Sequence, residues 1–397
     1  MNVLVAVDAQ LFRTPDGKVW CRTIYGYDFW KRYLDVFETV TIAARMENVR
    51  CEQVAGYLRS DGDRVSFAPM PMVRGAKGYI EKFPSFIRMA KKAVSRETCT
   101  IIRFPSIPAL FIDAFYKKRH RSYALEIVAD PLSAYAENRL VAKLLAAHLR
   151  KACLRANGVS YVTQHALQKQ YPCRANKIGD NTEQYFESYY SSIVLKKAFF
   201  ASARSYTGMY KSVKLIHTAN NINNDVKGHA VVIHVVKQLV DQGIDASVTF
   251  VGDGDLRPML EKMAEELGIA ARVTFTGLFG SAMDVREKLL EADIFILPTK
   301  AEGLPRAVIE AMAVGLPCLS TPVNGIPELL EPEYMLDPLD VDGFTKKIIE
   351  LLHNPEKMTI ASARNIEKAG EYEETILQKR RNEFYSQLKE LAERNMR

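Results

Sequence analysis

The sequence predicts an α/β protein made of two successive domains, each built on a parallel β-sheet. Its 397 residues are enough for two hydrophobic cores, since a domain usually has about 100–200 residues. Short apolar segments alternate with amphipathic segments of about 10–15 residues, which is the pattern of βαβ units. The strand segments are apolar at consecutive positions, as expected when helices cover both faces of a sheet.

The second half of the chain shows this alternation most clearly. Gly243, Gly268 and Gly315 each follow an apolar helical segment and mark its C-terminal end. The predicted strands lie at residues 214–219, 246–251, 272–276, 294–297 and 317–320. The predicted helices lie at residues 227–240, 256–267, 282–291 and 305–314.

The first half shows the same alternation with less regular spacing. Its predicted strands lie at residues 2–7, 40–44, 65–68, 100–104, 123–127 and 160–163, and its helices at 23–36, 78–94, 109–116 and 134–154. We therefore expect a first domain at 1–205, a second at 206–370, and a C-terminal amphipathic helix at 371–397 that packs on the first domain. Ligands of such folds bind at the carboxyl ends of the strands, so the cleft between the two sheets is the expected site.

Composition excludes several classes of protein. No run of about 18 apolar residues is present, which excludes a membrane-spanning helix. The N-terminal segment lacks the basic region and cleavage site of a signal peptide and has the pattern of a strand. The six cysteines are scattered without a C-x-x-C pair, so we expect neither a zinc site nor thiol chemistry, but small buried side chains in a reducing compartment.

Charge is distributed unevenly between the halves. Residues 1–205 contain 32 Lys and Arg against 18 Asp and Glu, whereas residues 206–397 contain 22 against 29. A basic first half predicts a phosphorylated substrate or an anionic membrane surface as partner, with a solvated basic face as the alternative. The basic clusters at 91–92, 117–121 and 150–151 alternate with the aromatic residues Phe83, Phe86, Phe111, Phe115 and Tyr116. Helices with this pattern either lie on an anionic membrane or pack their apolar side chains against the core of the protein, and both alternatives stay open here. No nucleic-acid-binding module is recognisable, so no nucleic acid is expected as partner.

The densest chemical signal is the run EGLPRAVIE at residues 302–310, directly after a predicted strand. Pro305 suits the first turn of a helix, because its missing N–H would be unpaired there anyway. The backbone N–H groups of Gly303 and Leu304 would then lie at a helix N-terminus, which attracts anions. Gly303 also lets a ligand approach the backbone closely.

Two glutamates flank this run. Glu310 follows Gly303 by seven residues, so it falls on nearly the same helical face, among apolar neighbours. Its carboxylate needs hydrogen-bond donors, which the hydroxyls of a ribose or the protein's own backbone could supply. Glu302 precedes the helix and is placed to meet the other end of the same ligand.

Three further segments belong to the same predicted sheet edge. Lys227 and Gly228 open a helix, where a lysine is unfavourable for the helix dipole, and this favours a role in binding diphosphate over a merely solvated lysine. The turn with Gly252 and the segment 324–328 follow neighbouring strands, although each also has the pattern of an ordinary turn.

Residues 214–354 resemble the donor-binding domain of glycosyltransferase family 4, which comprises retaining enzymes of the GT-B fold. The matching motifs are KG at 227–228, VGDG at 251–254, VTFTG at 273–277, ADIFILP at 292–298, EGLPRAVIEAMA at 302–313 and GIPELL at 325–330. The first half resembles, more weakly, members that build bacterial surface polysaccharides, at YDFW 27–30, ALEIVADP 124–131 and YVT 161–163. The resemblance implies two Rossmann-like domains that face each other across a cleft, with a C-terminal helix that crosses back to the first domain.

The resemblance also implies residue roles. Glu302 would bind hydroxyls of the donor sugar, Gly303 and Leu304 would lie near the sugar and the diphosphate, Glu310 would bind the ribose, and Lys227 would stabilise the departing diphosphate. The remaining implied site residues are Gly252, Leu278, Phe279 and Gly17. Leu278 and Phe279 would contact the base of the nucleotide, and Gly17 would lie near its phosphates.

Two positions depart from the family pattern. Asn221 stands where members usually have an arginine for the diphosphate, a charge that Arg306 could partly replace. Many members carry a histidine near the sugar in the first domain, and Glu126 is the candidate catalytic residue in the comparable region here.

The function that the resemblance implies is a retaining hexosyltransferase that needs no metal and no cofactor beyond its nucleotide-sugar donor. UDP-sugar is favoured, with GDP-sugar second, and the acceptor is a glycan or a lipid-diphosphate-linked saccharide in surface-polysaccharide synthesis. We expect a cytoplasmic protein at the inner face of the membrane. The alternatives are a nucleotide-sugar epimerase of the same architecture and a catalytically inactive nucleotide-sugar-binding partner.

Overall fold

The computed structural model of the chain describes residues 1–73, 75–96, 99–116, 121–135, 138–178, 182–208 and 210–395. They form two compact units. Unit 1 contains Met1–Ser192 and Gln378–Arg397, and unit 2 contains Ile193–Leu377. Most of the basic cluster predicted at 117–121 lies outside the described residues.

Unit 2 begins earlier in the chain than residue 206, because residues 199–204 are bonded to its helices. Arg204 donates hydrogen bonds to the carbonyl oxygens of Val314, Ala292 and Leu289. Ala201 donates its backbone N–H to the Ala313 oxygen at 3.0 Å. The alternation of predicted strands and helices, from which the boundary near 205 was expected, contains no information on these contacts.

The sheet of unit 1 has nine strands. They are β1 Asn2–Arg13, β2 Val19–Cys21, β3 Thr39–Asn48, β4 Leu58–Arg59, β5 Val65–Pro71, β6 Cys99–Phe104, β7 Tyr123–Ile127, β8 Gly158–Tyr161 and β9 Phe186–Tyr189. Seven of them run parallel in the order β5-β3-β1-β6-β7-β8-β9. The short strands β2 and β4 pair antiparallel beside the end of β1. The sequence pattern predicted six of the parallel strands and missed β2, β4 and β9, which have two to four residues each.

The described residues of unit 1 up to Ser192 form eight α-helices. They are α1 Tyr27–Leu34, α2 Gly75–Glu81, α3 Phe83–Arg96, α4 Ile107–Tyr116, α5 Pro131–Ala134, α6 Arg139–Cys153, α7 Ala166–Gln170 and α8 Arg174–Ile178. The single helix predicted at 78–94 is divided into α2 and α3, whereas the helix predicted at 134–154 corresponds to α6, which begins at Arg139 after the separate short helix α5. In the second case Asp130 and Asn138 each accept a backbone N–H with the side chain, and so each begins its own helix.

Unit 2 contains a five-stranded parallel sheet in the order β12-β11-β10-β13-β14. The strands are β10 Ser212–Asn221, β11 Asp245–Asp253, β12 Val273–Phe275, β13 Ile294–Ile296 and β14 Cys318–Leu319, and all five were predicted. The helices are α9 His229–Asp241, α10 Arg257–Glu266, α11 Ala282–Leu290, α12 Arg306–Ala313, α13 Val341–His353 and α14 Pro355–Gly370. Pro305 is the extended residue before α12 rather than its first helical residue, with ψ of 112°.

The last helix, α15 Glu374–Arg394, packs on unit 1 from Gln378 onward. Gln378 donates to the carbonyl oxygen of Arg32 at 3.1 Å, and Lys389 donates to that of Val36 at 3.2 Å. The ring of Tyr385 stacks on Tyr33 with centroids 5.0 Å apart.

The aromatic residues predicted among the basic helices divide into two groups. Phe86 and Tyr116 are buried, and Phe86 stacks on Phe111 at 4.8 Å, so these side chains belong to the core. Phe83 is 53% exposed. Within the described ranges, no helix combines the length and the apolar character that crossing a membrane requires.

Candidate functional site

The loops that follow β10 and β13 meet at the carboxyl edge of the unit 2 sheet, because these two strands are neighbours. Lys227 lies in the first loop and Glu302 in the second, and the Lys227 Nζ forms an ion pair with Glu302 Oε1. The Nζ also lies 3.4 Å from the Ala301 carbonyl oxygen. The two predicted residues are therefore in direct contact, and each neutralises the other.

The backbone around Lys227 is held by both neighbouring strands. Gly228 has φ of 77°, and a Cβ at this position would overlap the Pro298 carbonyl oxygen. His217 Nε2 donates to the Lys227 carbonyl oxygen at 3.0 Å, and Lys300 donates its N–H to the Val226 oxygen at 2.8 Å. These contacts present the lysine side chain at the sheet edge.

The segment before α12 carries unpaired hydrogen-bond donors. Among the described residues, the backbone N–H groups of Gly303 and Leu304 have no acceptor. Two hydrogen bonds from the loop after β14 fix the backbone of this segment. The Asn324 Nδ2 donates to the Glu302 carbonyl oxygen at 2.5 Å, and the Gly325 N–H donates to the Gly303 carbonyl oxygen at 2.9 Å. Two free N–H groups beside a helix N-terminus form a site for an anion.

Glu310 lies in α12 between the buried residues Ile309 and Ala311. Its carboxylate has no hydrogen-bond or ion-pair partner in the described part of the chain. Burial raises the pKa of Glu310 to about 7, although the charge of Arg306 acts in the opposite direction. The residue remains partly exposed, so an incoming ligand can supply the hydroxyl donors that the protein does not.

Gly252, Leu278 and Phe279 lie on the same edge, at the ends of the neighbouring strands β11 and β12. Gly252 donates its N–H to the Gly277 carbonyl oxygen at 3.0 Å, and a Cβ on it would overlap the Ala219 oxygen. The Leu278 side chain is exposed, and Phe279 is half-buried. Both follow the tight connection at Gly277, which has φ of 76°.

Asn221, the position where the family usually has arginine, ends β10. Its Oδ1 accepts the backbone N–H of Asn223 at 2.9 Å, so the side chain shapes the turn toward Lys227. No positive charge lies at this position, and Lys227 is the lysine that the turn presents at the edge.

Two of the predicted site residues lie in unit 1. Gly17 occupies an exposed turn between β1 and β2, with φ of 83°. Glu126 lies in β7, where its side chain is 2% exposed and forms an ion pair with Arg103. The hydroxyls of Tyr33, Tyr190 and Tyr385 donate to its two oxygens at 3.0, 3.0 and 2.6 Å.

The interpretation of Glu126 as a catalytic residue does not agree with these surroundings. Burial alone would raise the pKa of Glu126, but Arg103 and the tyrosine hydroxyls lower it below its ordinary value. Both oxygens are occupied by donors of the protein itself, which gives Glu126 a structural role in unit 1. The sequence shows that Glu126 lies within an apolar strand segment, but it does not show that three tyrosines from distant segments contact its carboxylate.

The sequence analysis included Asn324 in the predicted edge, but it missed His217 and Thr299, which support the backbone of the site. The Thr299 hydroxyl donates to the Ala301 carbonyl oxygen at 3.0 Å and so shapes the turn before Glu302. Asn324 has φ of 44°, and the Asn-Gly pair at 324–325 is the sequence signal for such a turn.

The family model described as glycosyl transferases group 1 matches residues 204–370. Protein CapJ of Staphylococcus aureus is 26% identical over 330 residues, which cover 82% of this chain and 80% of CapJ. The putative colanic acid biosynthesis glycosyltransferase WcaL of Escherichia coli K12 is 36% identical over 113 residues, but these cover 27% of this chain and 28% of WcaL.

The crystal structure of Alr3699/HepE from Anabaena in complex with UDP-glucose has a TM-score of 0.65 at 13% identity. The superposition covers 96% of this chain and 98% of that chain. This likeness shows the fold, which is the GT-B fold that the motifs implied. Residues 204–370 are therefore similar in sequence to the group 1 glycosyltransferases.

Proposed function

We propose that the protein transfers a sugar from a nucleotide-sugar donor to a glycan or lipid-linked saccharide in the synthesis of a surface polysaccharide. The observation that carries this proposal is the unpartnered Glu310 carboxylate, seven residues from the unpaired N–H of Gly303. One end of this arrangement accepts hydroxyl hydrogens and the other attracts an anion, as a nucleoside diphosphate requires. The name of WcaL supports the polysaccharide, and the UDP-glucose in HepE supports UDP over GDP.

Donor binding begins with the ribose and the diphosphate. The ribose hydroxyls donate to Glu310, and diphosphate oxygens accept from the N–H groups of Gly303 and Leu304. The diphosphate competes with Glu302 for the Lys227 ammonium, since a multiply charged anion attracts the lysine more strongly. Glu302 is thereby released to accept hydrogen bonds from the hydroxyls of the donor sugar.

The transfer that we propose retains the configuration at the anomeric carbon. The acceptor hydroxyl attacks on the face from which the diphosphate departs, a new C–O bond forms, and the bond to the diphosphate oxygen breaks. The hydroxyl proton passes to the departing diphosphate. Lys227 and the N–H groups before α12 stabilise the charge that develops there, so the proposed reaction uses protein groups in the place of a metal ion.

Ligand-dependent thermal unfolding tests the donor assignment. UDP, GDP, ADP and CMP are compared on the wild type, on Glu310→Gln, and on Glu265→Gln, which removes the same charge from an exposed position of α10. A ligand at a hundred times its Kd adds about 2.7 kcal/mol, or roughly 5–10 °C for a unit of this size. We expect UDP to raise the Tm of the wild type and the control, and to lose most of this effect in Glu310→Gln.

Three outcomes separate the alternatives. Equal stabilisation of all three proteins by UDP would remove Glu310 from the site, and no stabilisation by any nucleotide would remove the donor assignment. Sugar transfer from the stabilising UDP-sugar then distinguishes an enzyme from an inactive binding partner. Interconversion of the donor sugar without transfer would identify an epimerase.

Unit 1 is proposed to contact the anionic inner face of a membrane. Residues 1–205 carry the excess of basic side chains, and Ile80 of α2 and Phe83 of α3, two helices that carry lysines, are 76% and 53% exposed. Cosedimentation with vesicles rich in phosphatidylglycerol at low salt tests this. The double variant Ile80→Ser with Phe83→Ser should bind the vesicles more weakly than the wild type, whereas the control Leu339→Ser in unit 2 should bind them equally well. Absence of vesicle binding by the wild type would refute the contact.

A further inference from the structure

Unit 1 contains a group of three arginines around a single carboxylate. Arg103 of β6 and Glu126 of β7 are direct neighbours across the two parallel strands. Arg32 approaches from α1 and Arg381 from α15. We call Arg32, Arg103, Arg381 and Glu126 the arginine cluster.

The positive charges of the cluster exceed its negative charge by two. Arg103 forms an ion pair with Glu126, whereas Arg381 donates to neutral oxygens only, those of Gln378 at 2.5 Å and Ser191 at 3.2 Å. Arg103 and Arg381 are 5% and 4% exposed. Unpaired charge buried in this way is costly unless a counter-ion arrives.

Arg32 is the least satisfied member. Its guanidinium stacks on the ring of Phe29 at 4.0 Å, but it donates no hydrogen bond to any described residue. The Nε atoms of Arg32 and Arg103 are both buried without a partner. Burial, followed by the charges of Arg381 and Arg103, lowers the pKa of Arg32 to about 10.

The cluster lines a pocket at the carboxyl ends of β7 and β8. The other residues of the pocket include Val128, Ser160, Val162, Tyr190 and Ser192. The space inside it is about 10 Å³, enough for one atom of the size of a water molecule.

We propose that the arginine cluster binds one oxyanion group of the acceptor, a phosphate or a sugar carboxylate. Planar guanidinium groups recognise both by charge-assisted hydrogen bonds, and the half-buried guanidinium of Arg32 donates to no described residue. That the group belongs to the acceptor rests on the proposed function, whereas the anion site itself does not. The acceptor is accordingly an acidic saccharide or one linked through phosphate.

Calorimetric titration of the full chain with inorganic phosphate and with glucuronate, at constant ionic strength and saturating UDP, tests the site. The variant is Arg32→Gln, because the Arg32 side chain donates no hydrogen bond to a described residue, and the control Arg139→Gln removes an equal charge from an exposed position. Loss of one charge-assisted contact should weaken anion binding about ten- to a hundredfold in Arg32→Gln and leave it unchanged in Arg139→Gln. Without an anion, Arg32→Gln should unfold at the same temperature as the wild type or higher, since it removes an unpaired charge.

Each result has a defined meaning. Binding of phosphate alone or of glucuronate alone supports the site and identifies the source of the oxyanion, and binding of both supports the shared chemistry. A wild type that binds neither, or an Arg32→Gln variant that binds as tightly as the wild type, overturns the proposal. Failure of the donor assignment would appear separately, as the absence of stabilisation by UDP.

Discussion

Lys227 and Glu302, which are 75 residues apart, form an ion pair at the edge of the unit 2 sheet. Their side chains are 29% and 16% exposed, so the contact is partly shielded from water. Both residues are proposed to bind the donor, one at the diphosphate and the other at the sugar. Under this proposal, the Glu302 carboxylate takes the position of the diphosphate beside Lys227 until a donor binds.

Glu302→Gln should separate nucleotide binding from turnover. The variant releases Lys227 for the diphosphate, so we expect UDP to bind several-fold more tightly, as each 1.4 kcal/mol corresponds to a factor of ten. Turnover of UDP-sugar should fall by about 10²-fold, because the sugar loses a charged acceptor. Titration calorimetry and UDP release measure the two effects, with Glu265→Gln as control. Weaker UDP binding would show that the ion pair itself supports the site.

Lys227→Ala should reduce the rate of transfer by about 10²–10³-fold, because the departing diphosphate loses its stabilising charge. Lys300→Ala is the matched control, since Lys300 lies near the same loops with its charge 3.7 Å from Asp225. Initial rates of UDP release at saturating donor measure the difference. Equal losses in both variants would indicate a general effect of positive charge at this edge rather than a contact of Lys227.

Glu310→Gln should stabilise the unliganded protein at pH 8 and not at pH 5. The pKa of Glu310 is raised to about 7 by burial, above the ordinary value of 4.5. The folded protein therefore holds a proton that the unfolded chain releases, and the free energy of unfolding falls as the pH rises from about 4.5 to 7. Removal of the charge should recover about 2 kcal/mol above pH 7. Chemical denaturation at both pH values measures this gain, and a loss of stability at pH 8 would contradict it.

His217 and His229 should make unit 2 sensitive to acid. Their buried rings lie 4.3 Å apart, and burial lowers the pKa of His229 to about 4 and that of His217 below its ordinary value. The unfolded chain takes up protons near pH 6.5 and the folded protein does not, so stability falls as the pH drops below 6.5.

The variant His229→Leu tests this assignment. Between pH 7 and pH 5, the free energy of unfolding of the variant should fall by about 2 kcal/mol less than that of the wild type, provided that the leucine packs in the same space. His353→Leu, at an exposed position of α13, should leave the pH dependence unchanged. The difference between Tm at pH 7 and at pH 5 measures the effect, and an identical difference in all three proteins would exclude the pair as its source.

Periodicity of apolar residues was sufficient to predict unit 2. Its strands are continuous apolar segments and several of its helices end at glycine, so all five strands were predicted to within a few residues. The common position of the candidate site residues of unit 2 was predicted for a related reason. They follow strand ends, and parallel strands place their carboxyl ends on one edge whatever their order.

Unit 1 was predicted less completely, because its short elements depend on their neighbours. The strands β2 and β4 contain two or three residues each and exist only through pairing with each other and with β1. Asn138 interrupts a continuous helical pattern by capping the separate helix α6. Neither effect appears in the apolar spacing of the segment itself.

The sequence by itself determined the α/β class, the similarity of the second half to the group 1 glycosyltransferases, and the edge on which Lys227, Glu302, Gly303 and Glu310 lie. Only the tertiary structure decided which of these side chains already have partners. Lys227 and Glu302 hold each other, Glu310 has no partner among the described residues, and Glu126 is occupied by tyrosines and Arg103. The reason is physical: secondary structure follows from local side-chain spacing, whereas the charge and hydrogen bonds of a buried group depend on residues brought from distant parts of the chain.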